Sequence, residues 1–358
     1  MDFNPVYPHN LEMLPPKVAL ETPLILKALN SASREVGELK GYCASVPEPR
    51  VLMSAVITKE AVESSGIEAI ITTVESVMES QVIPRSEQKP PEKETIRYRE
   101  AVYWAMDNIE RYFISTQLIL GIHKKLLKTS FGYRKQQNAI KNQRTGEIIY
   151  SPPIASTIDQ LMQNWENFVN LNDDSKLDPL IKCAIAHYQF EAIHPFSDGN
   201  GRTGRILLVL QMVQAKLLDY PVMYTSSYLN KNREQYYQNL KSVTDNGDWE
   251  GYILFMLEGF RSQAIESKLK LFKMMALFEK LKNTIHTNHS KMNAMETANH
   301  LFSGPVTTPT FFAKSMDMHY QTASKHLAEL KKGGILSDSQ FGKYHLYYYK
   351  ELIDLINS

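Results

Sequence analysis

The segment 194-HPFSDGNGRTGR-205 sets the tightest limit on how this chain can fold. It gathers one His, one Asp, one Asn, three Gly and two Arg, then runs directly into ILLVLQMV from Ile206. The apolar run reads as a buried helix, so the polar residues must lie on the loop and first turns that lead into a core element. Gly199 and Gly201 flank Asn200 and allow positive φ, letting successive N–H groups point into one concavity. A helix that starts there offers unpaired N–H groups and the positive end of its dipole, an anion site whose usual guest is phosphate. Arg202 and Arg205, three apart, share a face of the first turns. Two cations there oppose the dipole and each other, which makes sense if an anion lies between them, and arginine suits forked phosphate recognition. Asp198 is placed to hold Mg²⁺ beside a polyphosphate. His194 can take a proton near neutral pH, and Phe196 anchors the loop in the core. His194 and Asp198 could instead be metal ligands at four-residue spacing, but no third ligand has clear spacing. His187, seven residues upstream of His194, is given a structural role. Together the residues read as a site for a nucleotide polyphosphate held rigid by the helix behind it.

The remaining sequence is mostly helical in pattern. With 358 residues the chain suggests two or three domains. The net charge of +1 gives no global pull towards nucleic acid or an anionic membrane. Cys43 and Cys183 stand far apart in apolar-periodic segments, which is no disulfide framework and fits a reducing, cytoplasmic setting. The start, MDFNPVYPHN, lacks the basic and apolar regions of a signal peptide, and no apolar run approaches the roughly 18–20 residues that span a bilayer, so no membrane partner is expected. Helices are expected near 22–42, 55–80, 95–112, 115–128, 154–170, 178–192, 200–217, 230–244 and 248–264, with a separate run near 266–288 that looks like a linker. The stretch 132-GYRKQQNAIKNQRTGEIIYSPP-153 reads as a β-hairpin around a turn-like Arg-Thr-Gly centre. The tail carries three short helical patterns and then an alternating ribbon that turns near Phe341-Gly342.

The motif at 194–205 resembles the Fic-family pattern H-x-F-x-[DE]-G-N-G-R-x-x-R at every defined position. FEAIHPF (190–196) is similar to the helix that leads into that motif, and YLNKNREQYYQNLKSVTDNGDWEGYILF (228–255) to the helices after it. The hairpin stands where the family has its target-docking flap. The resemblance spans 20–265 and implies a mainly α fold, a Fic-type helical core with a β-hairpin flap. On this reading residues 1–94 form an N-terminal helical domain, 95–265 the catalytic core, 266–289 a helical linker and 290–358 a winged helix-turn-helix. The implied reaction is protein adenylyl transfer, in which AMP passes from ATP to a Ser, Thr or Tyr hydroxyl of a target protein or of the chain itself. His194 would be the base and Asp198 would hold Mg²⁺. Gly199, Asn200, Gly201, Arg202, Thr203, Gly204 and Arg205 would bind the phosphates. Tyr237 would touch the adenosine, or else be a core aromatic beside Tyr236. Removal of AMP, or transfer of phosphate or phosphocholine, belongs to the same family chemistry.

A second stretch, 64-SSGIEA-69, resembles the family's inhibitory motif [ST]-x-x-x-E-[GN], with Ser64 and Glu68 at helical spacing. It implies that Glu68 pairs with Arg205 in place of the γ-phosphate. Position 69 is Ala where the motif has Gly or Asn, a small cost unless φ > 0 is required. From 291 to 350 the tail has seven Lys and no Arg against four acidic residues, a balance of +3 that is thin for a DNA reader. DNA binding through 290–358, protein contact or homodimer formation, and inert packing all stay open. A regulator whose nucleotide site is a sensor is the rival to an enzyme, but a sensor needs no base at position 194.

Overall fold

The computed structural model describes residues 4–44, 49–128, 132–141, 145–170 and 177–358. The chain is mainly helical. Along it run α1 (Pro23–Cys43), α2 (Pro49–Ile67), α3 (Val74–Gln81), α4 (Pro90–Tyr112) and α5 (Thr116–Leu127), then the strands β1 (Ile140–Lys141) and β2 (Ile148–Tyr150). Next come α6 (Ile158–Asn170), α7 (Pro179–Ile193), α8 (Asn200–Gln214), α9 (Ser226–Lys231), α10 (Arg233–Asn246) and α11 (Trp249–Asn288). The tail has α12 (Ala294–Ser303), β3 (Val306–Thr307), α13 (Pro309–Ser315), α14 (Tyr320–Lys332), β4 (Ser337–Phe341), β5 (Tyr344–Tyr348) and α15 (Lys350–Asn357). Two compact units result: Met1–Gly41 with Glu100–Ile265, and Tyr42–Arg99 with Glu266–Ser358. This grouping assigns residues 42–99 to the same unit as the tail. Among the described residues no helix is long and apolar enough to cross a membrane.

In the first unit α7 and α8 are the core. Both are buried on nearly every face, as expected of helices that are apolar all round. Pro179 opens α7 at its first position and the Asp178 carboxylate caps the Leu180 N–H, so the start of the helix is fixed by local chemistry. The stripe Ile158, Leu161, Met162, Trp165 and Phe168 lays α6 against α7, and the Trp165 indole N–H donates to the Ala186 carbonyl at 2.7 Å. The Cys183 thiol is buried there and pushed up to about 12 by desolvation, so it stays protonated and inert. β1 and β2 pair antiparallel, with Ile140 opposite Tyr150. The hairpin is present, and Arg144 of its expected Arg-Thr-Gly centre lies outside the described residues.

In the second unit α2 packs on α12 and α15, and α3 on β3 and α15. The three strands of the tail run antiparallel in the order β3-β5-β4, and Gly342 takes φ 57 at the β4–β5 turn. Two helix boundaries differ from the sequence reading. The expected helix at 55–80 breaks into α2 and α3, because the chain turns left-handed at Ala69 and Thr73 then caps the Ser76 N–H. The helical runs near 248–264 and 266–288 are one continuous α11, since no Gly or Pro interrupts it after Gly259.

His300 joins the elements of the tail. Its Nδ1 lies 2.8 Å from Ser315 Oγ and its Nε2 2.9 Å from Thr307 Oγ1. Burial lowers its pKa to about 4, so the ring is neutral at pH 7. The unfolded chain takes up this proton near the ordinary value of 6.5 and the folded chain does not. Stability is therefore full above pH 6.5 and falls as the pH drops towards 4, by roughly 2 kcal/mol between pH 7 and 5. Denaturant unfolding at those two pH values should show this loss, and His300→Gln should reduce it. An unchanged pH dependence in the variant would remove His300 as its source.

Candidate nucleotide site

The turn from α7 into α8 carries the motif, and it passes twice through left-handed backbone. His194 caps α7 at φ 51, ψ 57, and Gly199 starts α8 at φ 77, ψ 13. A non-glycine residue in that region is uncommon and persists only where its surroundings hold it. Here they do. Arg134, a buried residue just before the hairpin, donates from Nε to the His194 carbonyl at 2.9 Å and from Nη2 to the Pro153 carbonyl at 2.6 Å. Its Nη1 donates to the Gln136 carbonyl at 3.1 Å, and its backbone N–H to the Pro195 carbonyl at 2.8 Å. Burial lowers the guanidinium pKa, but an arginine keeps its charge. The Tyr150 hydroxyl adds a bond to the Ala192 carbonyl at 2.8 Å. The hairpin base and the end of α7 are thus tied together.

The middle of the turn is clasped by Asn200. Its amide oxygen accepts the Phe196 N–H and its amide nitrogen donates to the Phe196 carbonyl, both at 2.8 Å. Phe196 is fully buried and stacks on His123 of α5 at 3.7 Å between ring centres. His123 Nε2 lies 2.8 Å from the Asp198 carbonyl, and burial lowers the pKa of the ring. Thr203 turns its hydroxyl back to the Gly199 carbonyl at 2.8 Å, and its own N–H makes the first intrahelical bond to the same oxygen at 3.0 Å. The N–H groups of 200–202 therefore stand ahead of the helical ladder, and Gly199 caps them with no side chain.

The sequence-predicted residues fall into distinct positions. The Asp198 carboxylate is 74% exposed, takes the Gly199 N–H at 2.6 Å and lies 3.8 Å from Arg202 Nη2. Arg202 and Arg205 are both buried. Arg205 helps to lower the pKa of His187 to about 3, after the larger effect of burial, and also acts on Tyr236. His187 Nε2 meets the Tyr236 hydroxyl at 2.8 Å, in keeping with a structural role for His187. Gly204 faces Glu191 and Phe190 so closely that a Cβ would lie 2.3 Å from Glu191 Oε1, so its lack of a side chain serves helix packing. Tyr237 is about half exposed beside the buried Tyr236, with ring centres 5.4 Å apart. His194 is partly buried and its Nδ1 lies 3.4 Å from the Glu191 carbonyl. Only a protonated ring nitrogen can bond a carbonyl, so this contact favours the Nδ1–H tautomer. Among the described residues no three His, Cys, Asp or Glu converge as a metal site. Arg134 and His123 were not legible as site residues. A basic residue next to a hairpin and a lone helical His carry no signal of whose carbonyl they will meet.

Ser64 and Glu68 lie in the second unit. Ser64 is buried on α2 and Glu68 is the exposed residue that caps its C-terminus. The Ile70 N–H bonds to the Ser65 carbonyl at 3.0 Å and the Ala69 N–H to the Gly66 carbonyl at 3.0 Å, the paired bonds of a Schellman cap. Ala69 sits at φ 61, at the position where such a cap favours glycine. The departure from Gly or Asn at 69 therefore falls where φ > 0 is required.

A mainly helical body with a glycine-rich turn leading into a buried helix defines the class. The profile of the Fic/DOC family matches residues 113–212, that of the Fic/DOC family N-terminal region residues 26–107, and that of the protein adenylyltransferase SoFic-like C-terminal domain residues 277–352. The chain belongs to the Fic/DOC family. It is 30% identical over 152 residues to the protein adenylyltransferase Fic of Drosophila grimshawi, a match covering 42% of this chain and 29% of that one. It is 36% identical over 124 residues to a probable protein adenylyltransferase of Aquifex aeolicus, covering 34% of this chain and 37% of that one. The matched segment thus spans well under half the length of either relative. A Fic family protein of Desulfovibrio desulfuricans shares the fold with a TM-score of 0.58 at 19% identity, over 94% of this chain and 98% of that one. A Fic protein of Caenorhabditis elegans does so at 0.54 and 20%, over 70% of this chain and 75% of that one.

Two substitutions test these local readings. Ala69→Gly should raise stability by about 1 kcal/mol by relieving the left-handed alanine. Arg134→Met should cost about 2 kcal/mol, since it strands the buried Pro153 carbonyl and removes two part-buried bonds to the Gln136 and His194 carbonyls. Chemical denaturation of the full chain measures both, and a destabilising Ala69→Gly or a neutral Arg134→Met would contradict the geometry.

Proposed function

We propose that the chain is a protein adenylyltransferase that moves AMP from ATP to a hydroxyl side chain of a protein target or of itself. The observation that carries this reading is the α7–α8 turn, where a rigid N–H cradle, two buried arginines and a histidine whose Nδ1 lies near the Glu191 carbonyl are built from twelve consecutive residues. A sensor of nucleotides has no use for that base. In the proposed reaction His194 takes the proton of the target hydroxyl, and the freed oxygen forms a bond to the α-phosphorus. The bond from that phosphorus to the bridging oxygen breaks, and pyrophosphate leaves with the electron pair. The N–H groups at 200–202 with Arg202 hold the phosphates, and Arg205 completes the grip on the γ-phosphate. Positioning and charge stabilisation supply most of the rate.

Three finer assignments follow. The exposed Asp198 carboxylate suits Mg²⁺, which takes one or two carboxylates together with phosphate oxygens, and when bound the ion would neutralise phosphate charge. The Asn200 amide is engaged with Phe196, so we assign it the shape of the loop and leave direct phosphate contact to the backbone. The half-exposed ring of Tyr237 offers a face to the adenosine.

Glu68 is proposed as a brake on this activity. An acidic residue at the end of a helix opposes the dipole, and α2 has no basic residue in its last turn to offset it. The reading rests on the Ser64–Glu68 spacing in 64-SSGIEA-69, which resembles the family's inhibitory motif. For the tail, protein contact is favoured over DNA. Lys343 at the tip of the ribbon is paired with Glu87 at 2.9 Å, and the Tyr344 hydroxyl donates to the same carboxylate. A duplex that binds the full chain tightly at low salt and is released with rising salt would overturn that choice.

Incubation of the chain with ATP and Mg²⁺, followed by intact-mass analysis, tests the enzyme and the brake together. Glu68→Gly should accumulate an AMP adduct much faster than the unmodified sequence, by about 10²-fold if misplaced phosphates are the cause. Adding His194→Ala to Glu68→Gly should reduce the rate by about 10²–10⁴. Equal rates with and without His194 would remove it from the mechanism, and equal rates with and without Glu68 would remove the brake.

A further inference from the structure

The second unit holds a cavity of about 450 Å³ that the adenylylation reading does not use. It opens between the end of α3, at Gln81 and Val82, and the helices α12 and α13. This size lies within the range of small-molecule sites, roughly 300–1,000 Å³. His300 lines it and fixes its shape, because the neutral ring bridges Ser315 and Thr307 from α12. The Phe311 ring, 5.6 Å from His300 and substantially exposed, forms an aromatic wall.

Two amides give the cavity its polarity. Gln81 Nε2 and Asn299 Oδ1 are shielded from solvent, and neither has a hydrogen-bond partner among the described residues. A shielded donor and acceptor left unmade each cost free energy, and the last torsion of an amide side chain turns easily towards a guest. A carboxamide is a compact group that meets both needs, since its carbonyl accepts from Gln81 and its N–H donates to Asn299. The rim adds the carboxylates of Glu296 and Asp317, both exposed and neither in an ion pair with a described residue. Asp317 is held in place by left-handed backbone at φ 46. Two carboxylates next to an aromatic face favour a cation, and they repel an anion.

We infer that this cavity is a binding site for a small free organic cation that also carries a carboxamide. The site is separate from the nucleotide loop, which lies in the other unit, so it stands or falls independently of the adenylylation reading. Argininamide is a suitable probe, because it joins a guanidinium and an amine to a carboxamide. The experiment is calorimetric titration of argininamide into the full chain at pH 7, with glutamate as the anionic control. One-to-one binding is expected with argininamide and none with glutamate. The double variant Glu296→Gln/Asp317→Asn should weaken binding by at least about ten-fold. Asparagine tolerates the left-handed backbone at 317, so the fold is retained. Absence of binding at millimolar probe, equal affinity in the double variant, or equal binding of glutamate would each overturn the proposal.

Discussion

Everything at the candidate site depends on holding a six-residue turn, 194–199, in a shape that its own backbone cannot stabilise. The turn enters and leaves through left-handed residues and has no strand partner. Side chains replace the missing ladder. Arg134 takes the carbonyl at its start, Asn200 clasps both backbone groups of Phe196, and His123 takes the carbonyl at Asp198. Each of these groups is buried or partly buried, so each bond is made where water does not compete. The reward is a set of N–H groups fixed before any ligand arrives, which is the condition for charge stabilisation without reorganisation at the moment of reaction.

The same logic separates residues that face the ligand from residues that shape the loop. Several members of the motif are spent on structure: Asn200 on Phe196, Thr203 on the Gly199 carbonyl and Gly204 on the approach of α7. Asp198 keeps an exposed carboxylate, and His194 is partly buried at the entry to the turn. A dense motif is therefore half scaffold, and the scaffold half explains why its spacing is so strict.

Much of this was legible in the sequence, and the physical reasons for the rest are specific. The motif, the buried helix after it, the hairpin and the tail ribbon are all local patterns, and local patterns can be read from residue order. The partners of the turn are not local. Arg134 lies 60 residues from His194, and His123 lies 75 residues from Asp198. Nothing in 132-GYRKQQN-138 distinguishes the arginine that is buried from the lysine beside it. The break after α2 was hidden for a different reason. Its cap uses alanine at the left-handed position, so the glycine that would have marked the helix end is missing. The merging of two expected helices into α11 is the reverse case, in which a change of domain was inferred where the chain has no breaker. Strand β3 and helix α15 were too short to stand out from their surroundings.

Isotope tracing gives the most direct test of the chemistry assigned to the turn. The Glu68→Gly variant would be incubated with Mg²⁺ and ATP labelled either on the α-phosphorus or on the γ-phosphorus, and the protein then freed of nucleotide. Transfer of AMP requires label on the protein from the α-position, none from the γ-position, and loss of the α-signal when His194→Ala is added. Label arriving from the γ-position would mean that the cradle presents the other end of the nucleotide, and the assignment of this turn to adenylyl transfer would be wrong.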